Sequence, residues 1–163
     1  MSIASSRRVF FQCLLVLPAL SLRALYAQHD AATTGNDSIP FRDLLQPAEL
    51  MRLLHDAGGD KPLLLQTGSH ALYAEAHIPE SEYVGAAGDG DGLRALESRA
   101  KSLDKHQFLV IYCGCCAWDR CPNIRPAYQQ LHALGFTRIK VLYLAENLGA
   151  NWVDKGYPVA RGR

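Results

Sequence analysis

The stretch Phe108-Leu109-Val110-Ile111-Tyr112, followed by Cys113-Gly114-Cys115-Cys116-Ala117-Trp118-Asp119-Arg120-Cys121-Pro122 and then Asn123-Ile124, decides how the rest of the chain is read. An unbroken apolar run that ends in a Cys- and Gly-rich loop reads as a strand buried on both faces. Beyond the loop, Asn123 is placed to cap a helix in which Ile124, Ala127, Tyr128, Leu131 and Leu134 share one face, with Gly135 as its stop. Pro126 falls in the first turn, where its missing N–H is harmless. Strand, loop and helix in that order put the cysteines at the carboxyl end of a strand, the end at which open parallel sheets bind their ligands.

The flanking sequence repeats the alternation. Pro47 to Leu54 predicts a short helix opened by proline and closed by Gly58-Gly59. Pro62-Leu63-Leu64-Leu65-Gln66 predicts a second buried strand, and Ser69 is placed to cap a brief helix through Ala76. Tyr83-Val84 suits a very short strand. Asp89-Gly90-Asp91-Gly92 is turn material before a helix carrying Leu93, Leu96, Ala100 and Leu103. Ile139 to Leu144 predicts a further strand, and Asn147 to Lys155 a last short helix. The expected fold class is therefore α/β, a small single domain with a central, mostly parallel sheet and helices on both faces.

Composition agrees with one folded domain. The chain has 163 residues, 48% hydrophobic and 20% charged, which is too apolar and too evenly charged for a disordered protein. A net charge of +1 gives no electrostatic footprint for nucleic acid. The charge is unevenly placed: residues 1–27 hold Arg7, Arg8 and Arg23 and no acid, with an apolar stretch from Cys13 to Leu22 and then Ala24-Leu25-Tyr26-Ala27, while the rest of the chain is net negative. The run Ser6-Arg7-Arg8-Val9-Phe10-Phe11-Gln12 resembles the twin-arginine export signal. That resemblance implies a cleaved signal over 1–27 and a periplasmic or otherwise exported protein; a Sec signal or an uncleaved anchor is the alternative. The apolar stretch is short and interrupted, so no stable membrane insertion is expected once the signal is removed. Residues 28–40 read as a linker and 41–163 as the folded domain. Cleavage after Ala27 would remove Cys13 and leave four cysteines where disulfides are permitted.

The chemistry is concentrated in the loop. N–H groups and the dipole at a helix start favour an anion and stabilise a thiolate, and Arg120 and Arg125 are placed to add positive charge. A thiolate beside anion-binding donors can attack an oxyanion such as thiosulfate.

Several pieces, in order along the chain, resemble the rhodanese family of sulfurtransferases: Leu63 to Gln66 as a core strand, Tyr73-Ala74-Glu75-Ala76-His77-Ile78-Pro79, the strand ending in Tyr112-Cys113, Leu134-Gly135-Phe136, and Trp152 with Gly156-Tyr157-Pro158-Val159. The resemblance spans about residues 42 to 160 and implies a catalytic cysteine at Cys113. That cysteine would take a sulfane sulfur from a small donor and pass it as a persulfide to a thiol acceptor, with no cofactor. Gly114, Cys115, Cys116, Trp118, Arg120 and Arg125 are the implied substrate contacts.

Three departures bear on that reading. Gln66-Thr67-Gly68 stands where the family has an acid and an arginine. The cysteine loop is longer than the family's, and Cys115 with Arg120 itself fits the family's C-x4-R spacing, which makes Cys115 the second candidate nucleophile. Ala145-Glu146-Asn147 replaces a glycine-rich turn. The extra cysteines also allow a redox dithiol within Cys113-Gly114-Cys115-Cys116, or a disulfide between Cys116 and Cys121. Four thiols within nine residues could also hold zinc, copper or an iron–sulfur cluster; against a metal, C-x-C-C-x4-C matches no common ligand spacing and adjacent cysteines seldom point to one centre, so no metal ligand is assigned. A catalytically weak domain that binds sulfur compounds, metal or a partner protein is the non-enzymatic alternative. His77 reads as a structural hydrogen-bonding residue, and His55, His70, His106 and His132 as solvent-facing.

Overall fold

The computed structural model describes residues 39–162. The expected signal segment and residues 28–38 of the expected linker lie outside the described residues. Five parallel strands form one sheet in the order β1-β5-β4-β2-β3, with β1 at Leu44–Leu45, β2 at Leu63–Gln66, β3 at Glu82–Tyr83, β4 at Leu109–Tyr112 and β5 at Ile139–Leu142. Four helices connect them, α1 (Pro47–His55), α2 (His70–Glu75), α3 (Gly90–Ala100) and α4 (Ile124–Ala133), and α5 (Leu148–Asn151) follows the last strand. β4 lies at the centre, with Leu109 opposite both Leu63 and Ile139.

All four residues of β4 are buried, as the apolar run requires, and they alternate between two cores. Leu109 and Ile111 join Leu65, Ile139 and Val141 against Leu96 and Ala100 of α3 and Ile124, Ala127 and Leu131 of α4. Val110 and Tyr112 face the other way, towards Leu50 of α1, Leu148 of α5 and Trp152. Each such side chain taken fully out of water is worth about 1.5–3 kcal/mol before its ordering cost. Helices therefore cover both faces of the sheet, the architecture read from the sequence.

The differences are local. The two-residue β1 was too short to show a period, and its partner β5 is remote in sequence. β3 begins one residue before the expected Tyr83-Val84, and β5 stops at Leu142. The expected helix over 147–155 is interrupted: the backbone of Trp152 (φ −129, ψ −60) separates α5 from a 3-10 turn at Val153–Lys155. Asp89 caps α3 through a hydrogen bond from the Gly92 N–H (2.7 Å), and Gly135, with φ +89, follows α4 as its stop. Ser69 makes no side-chain cap, and neither does Asn123, whose own backbone is already helical. No helix among the described residues is long and apolar enough to cross a membrane.

Candidate functional site

The chain leaves β4 at Tyr112 and bends at Cys115-Cys116. It then passes through a 3-10 turn at Trp118–Arg120 and enters α4 after Cys121-Pro122-Asn123. This path folds the loop back on itself. The sulfurs of Cys113, Cys115, Cys116 and Cys121 all lie within 4.8 Å of one another. The Cys113–Cys115 separation is 3.0 Å and the Cys115–Cys116 separation 3.1 Å. These are contacts between free thiols, well outside the bonded distance of about 2.05 Å, and Cys116 and Cys121, the pair considered for a disulfide, are likewise free thiols in this structure. The expectation that adjacent Cys115 and Cys116 would diverge is also not met. The bend at these two residues turns both sulfurs inward.

Nitrogen donors surround the sulfurs. Asn123, expected to cap α4, instead accepts from the Gly88 N–H through Oδ1 (2.8 Å) and donates through Nδ2 to the sulfurs of Cys113 (3.3 Å) and Cys115 (3.7 Å). Backbone N–H groups of Asn123 and Ile124 point at the Cys121 sulfur. The Cys115 thiol is held well below its ordinary value, first because the thiols of Cys113 and then Cys121 donate to it. Cys113 is pushed far up, first by that same contact with Cys115, then by Cys121 and by burial. Cys116 is raised chiefly by burial. The contacts among the sulfurs thus favour the charged form at Cys115 and the protonated form at its neighbours.

The strand beside β4 makes room for this cluster. A Cβ on Gly68 would lie 2.9 Å from the Cys113 sulfur, so the position where the resemblance leads one to expect an arginine accommodates a sulfur instead. Gln66 is 2% exposed and folds its Oε1 back onto the Gly68 N–H at 3.1 Å. A Cβ on Gly114 would lie 2.9 Å from the Leu148 Cβ, which fixes a close approach between the loop and α5. Cys115 opens onto a cleft of about 400 Å³ whose walls include Gln66, Glu75, Gly114, Leu148 and Arg161. Cys113, 3% exposed, does not line it.

The remaining expected contacts are not gathered there. Arg120 extends into solvent, its side chain 81% exposed beside Asp119 at 3.8 Å, and it borders a separate shallow hollow with Cys116. Trp118 packs against Tyr143, with ring centroids 5.1 Å apart, and its backbone N–H donates to the Ala145 carbonyl; it closes the loop and is absent from the cleft wall. Arg125 is half-buried in the first turn of α4 and is likewise not on that wall. Sequence reasoning missed Asn123 as a partner of the sulfurs, Gly68 as the space they need and Arg161 as the basic group of the cleft. His77 has the structural role expected, with Nδ1 2.8 Å from the Tyr73 carbonyl and its ring stacked on Tyr73 at 3.9 Å.

No protein-family model matches the sequence, and no curated protein matches it. Solved structures do match. The rhodanese-like domain of the Alr3790 protein from Anabaena sp. aligns with a TM-score of 0.55 at 20% identity, over 73% of this chain and 79% of that one. The fold is rhodanese-like. A thiosulfate sulfurtransferase from Pseudomonas aeruginosa aligns at 0.52 and 24% identity, over 74% of this chain and 19% of the longer protein. A rhodanese-like domain protein from Staphylococcus aureus gives 0.50 at 13% identity, over 74% and 99%. Against this rhodanese-like frame, the four-sulfur loop after β4 and the Gln66-Thr67-Gly68 turn after β2 are the features that single out this chain.

Proposed function

We propose that the protein is an exported sulfurtransferase that accepts a sulfane sulfur from a small donor such as thiosulfate and passes it to a thiol. Among the described residues, Cys115 is the cysteine on the wall of the cleft at the carboxyl end of the sheet, and this observation carries the proposal. The rhodanese-like fold supports it, as does a neighbour of that fold that is itself a thiosulfate sulfurtransferase. Export rests on Ser6-Arg7-Arg8 and the apolar segment behind them.

The Cys115 thiolate attacks the outer sulfur of thiosulfate. An Sγ–S bond forms, the S–S bond of the donor breaks, and the electron pair leaves with sulfite. Arg161, which lines the cleft together with Glu75, is the cation available to the departing sulfonate. An acceptor thiolate then attacks the outer sulfur of the persulfide and returns Cys115 to a thiolate. The family resemblance favours Cys113 for this role, but its burial and its contact with Cys115 at 3.0 Å make it a neighbour of the reaction and Cys115 the point of entry.

Intact mass of the reduced chain after thiosulfate tests the assignment. A gain of one sulfur atom that cyanide removes is expected. Cys115→Ser should lower the rate of uptake by at least about a thousand-fold, the scale on which losing a nucleophile is felt, while Cys113→Ser keeps it measurable. Full uptake by Cys115→Ser would return the role to Cys113. The second reading, a thiol-redox centre, is favoured by the same 3.0 Å contact and would show as the loss of two hydrogens with no sulfur gained.

A further inference from the structure

We propose that Cys113, Cys115, Cys116 and Cys121 together form a mononuclear tetrathiolate site for one thiophilic cation of the zinc class. The inference goes beyond sulfur transfer and does not rest on it.

Convergence is the first ground. Four thiolates around a tetrahedral ion with metal–sulfur bonds of about 2.3 Å lie about 3.8 Å from one another. The four sulfurs here fall within 4.8 Å pairwise, with two contacts at 3.0 and 3.1 Å, so small side-chain rotations outward bring them onto that tetrahedron. An iron–sulfur cluster, whose cysteines must spread around a body several ångströms wide, does not suit so tight a group. The donor set is all sulfur, with no carboxylate or histidine in it, which selects soft or borderline cations over magnesium or calcium.

The surroundings are the second ground. Metal-bound thiolates carry excess negative charge and are stabilised by N–H donors outside the ligand shell. Asn123 supplies such a donor to Cys113 and Cys115, and the backbone N–H groups of Asn123 and Ile124 supply donors to Cys121. Asn123 is buried and is held in place by the Gly88 N–H, so its amide is aimed before any ion arrives. Gly68 is the third ground, because any larger residue there would displace the Cys113 sulfur.

On binding, the cation replaces the remaining thiol protons, which pass to solvent; no sulfur is oxidised. A cation held by all four sulfurs and a sulfur atom added to Cys115 exclude one another.

The reduced full chain, titrated anaerobically with Zn²⁺ and read by native mass spectrometry and thiol alkylation, decides the matter. The expected result is one zinc per chain, with four of the five cysteines protected and Cys13 alkylated. Co²⁺ in its place should give the visible bands of a tetrahedral tetrathiolate. Cys116→Ser alters a half-exposed residue and so preserves the fold; it should weaken zinc binding by at least about 100-fold, and Asn123→Ala by about 10- to 100-fold. Substoichiometric zinc, alkylation of all five cysteines in its presence, or unchanged affinity in Cys116→Ser overturns the site. Sulfur uptake is scored separately on the zinc-free chain, so either proposal can fail while the other stands.

Discussion

Tyr112 and Cys113 are consecutive residues at the end of the same strand, yet they enter opposite faces of the sheet and find opposite kinds of partner. The Tyr112 hydroxyl is 2.8 Å from Ser81 Oγ and accepts from the Ile78 N–H at 3.2 Å. Behind it, Trp152 is fully buried and donates its indole N–H to the Pro158 carbonyl at 2.8 Å. Oxygen and nitrogen partners of this kind are directional and permanent, and they fix the distance between the sheet and the carboxyl-terminal segment. The Cys113 sulfur has other sulfurs and one amide as its polar neighbours. Such partners can be exchanged for an added sulfur or a cation without dismantling a core. Both faces of β4 carry a hydrophobic core, but at the strand's end the polar partners are fixed on one side and exchangeable on the other.

Stability measurements can break that division. Trp152→Ala should have the largest effect, about 3–5 kcal/mol of unfolding free energy, because it opens a large cavity and orphans the Pro158 carbonyl. Urea denaturation measures it; a loss under 1 kcal/mol would mean that the carboxyl-terminal segment is not part of the cooperative core. Tyr112→Phe is smaller, about 1–3 kcal/mol, since it keeps the ring but leaves the buried Ile78 N–H without its acceptor. Sulfur uptake by Tyr112→Phe should match that of the parent when both are folded. A changed uptake would show that the two faces communicate through the strand end.

The two sides also differed in how readily they could be read from sequence. The core followed from runs and periods: Leu109 to Tyr112 could hardly be anything but a central strand, and Ile124, Ala127 and Leu131 recur at the spacing that the packed face of α4 uses. Burial is a property of neighbours in sequence, so it leaves a local trace. The site depends on neighbours in space. Asn123 before a helix carries a local signal for capping, but tertiary contact with Gly88 and the sulfurs claims its side chain instead. Gly68 could be read as a departure from a motif, whereas its use as space for Cys113 depends on the register between β2 and β4. Arg120 and Arg125 were read as parts of the anion cradle from their proximity in the chain, while Arg161, far along it, is the basic group on the cleft. The cysteines were legible as chemistry, but their convergence was not.

The weakest test of the division lies on the sulfur-bearing side, where an ion pair instead of a buried hydrogen bond ties the edge of the sheet to a helix. Arg99 of α3 grips Glu82 of β3 with two hydrogen bonds, Nε to Oε2 at 2.5 Å and a terminal nitrogen to Oε1 at 2.9 Å. Both side chains are about a third exposed (33% and 39%), so the pair should contribute no more than about 0.5–1 kcal/mol. Its hydrogen bonds to Arg99 hold the Glu82 carboxyl below its ordinary value of 4.5, outweighing burial. A carboxyl lowered by folding stabilises the protein above its unfolded value and loses that contribution as the pH falls through the folded one. Glu82→Gln should therefore cost up to about 1 kcal/mol at pH 7, and the gap from the parent should narrow once the pH falls below the carboxyl's ordinary value of 4.5 and close as the parent's own carboxylate is protonated. Unfolding free energies followed from pH 7 down through the acid range measure both ends. A gap that persisted undiminished in acid would mean that Glu82 acts through packing at the sheet edge, and that this face, too, relies on fixed contacts.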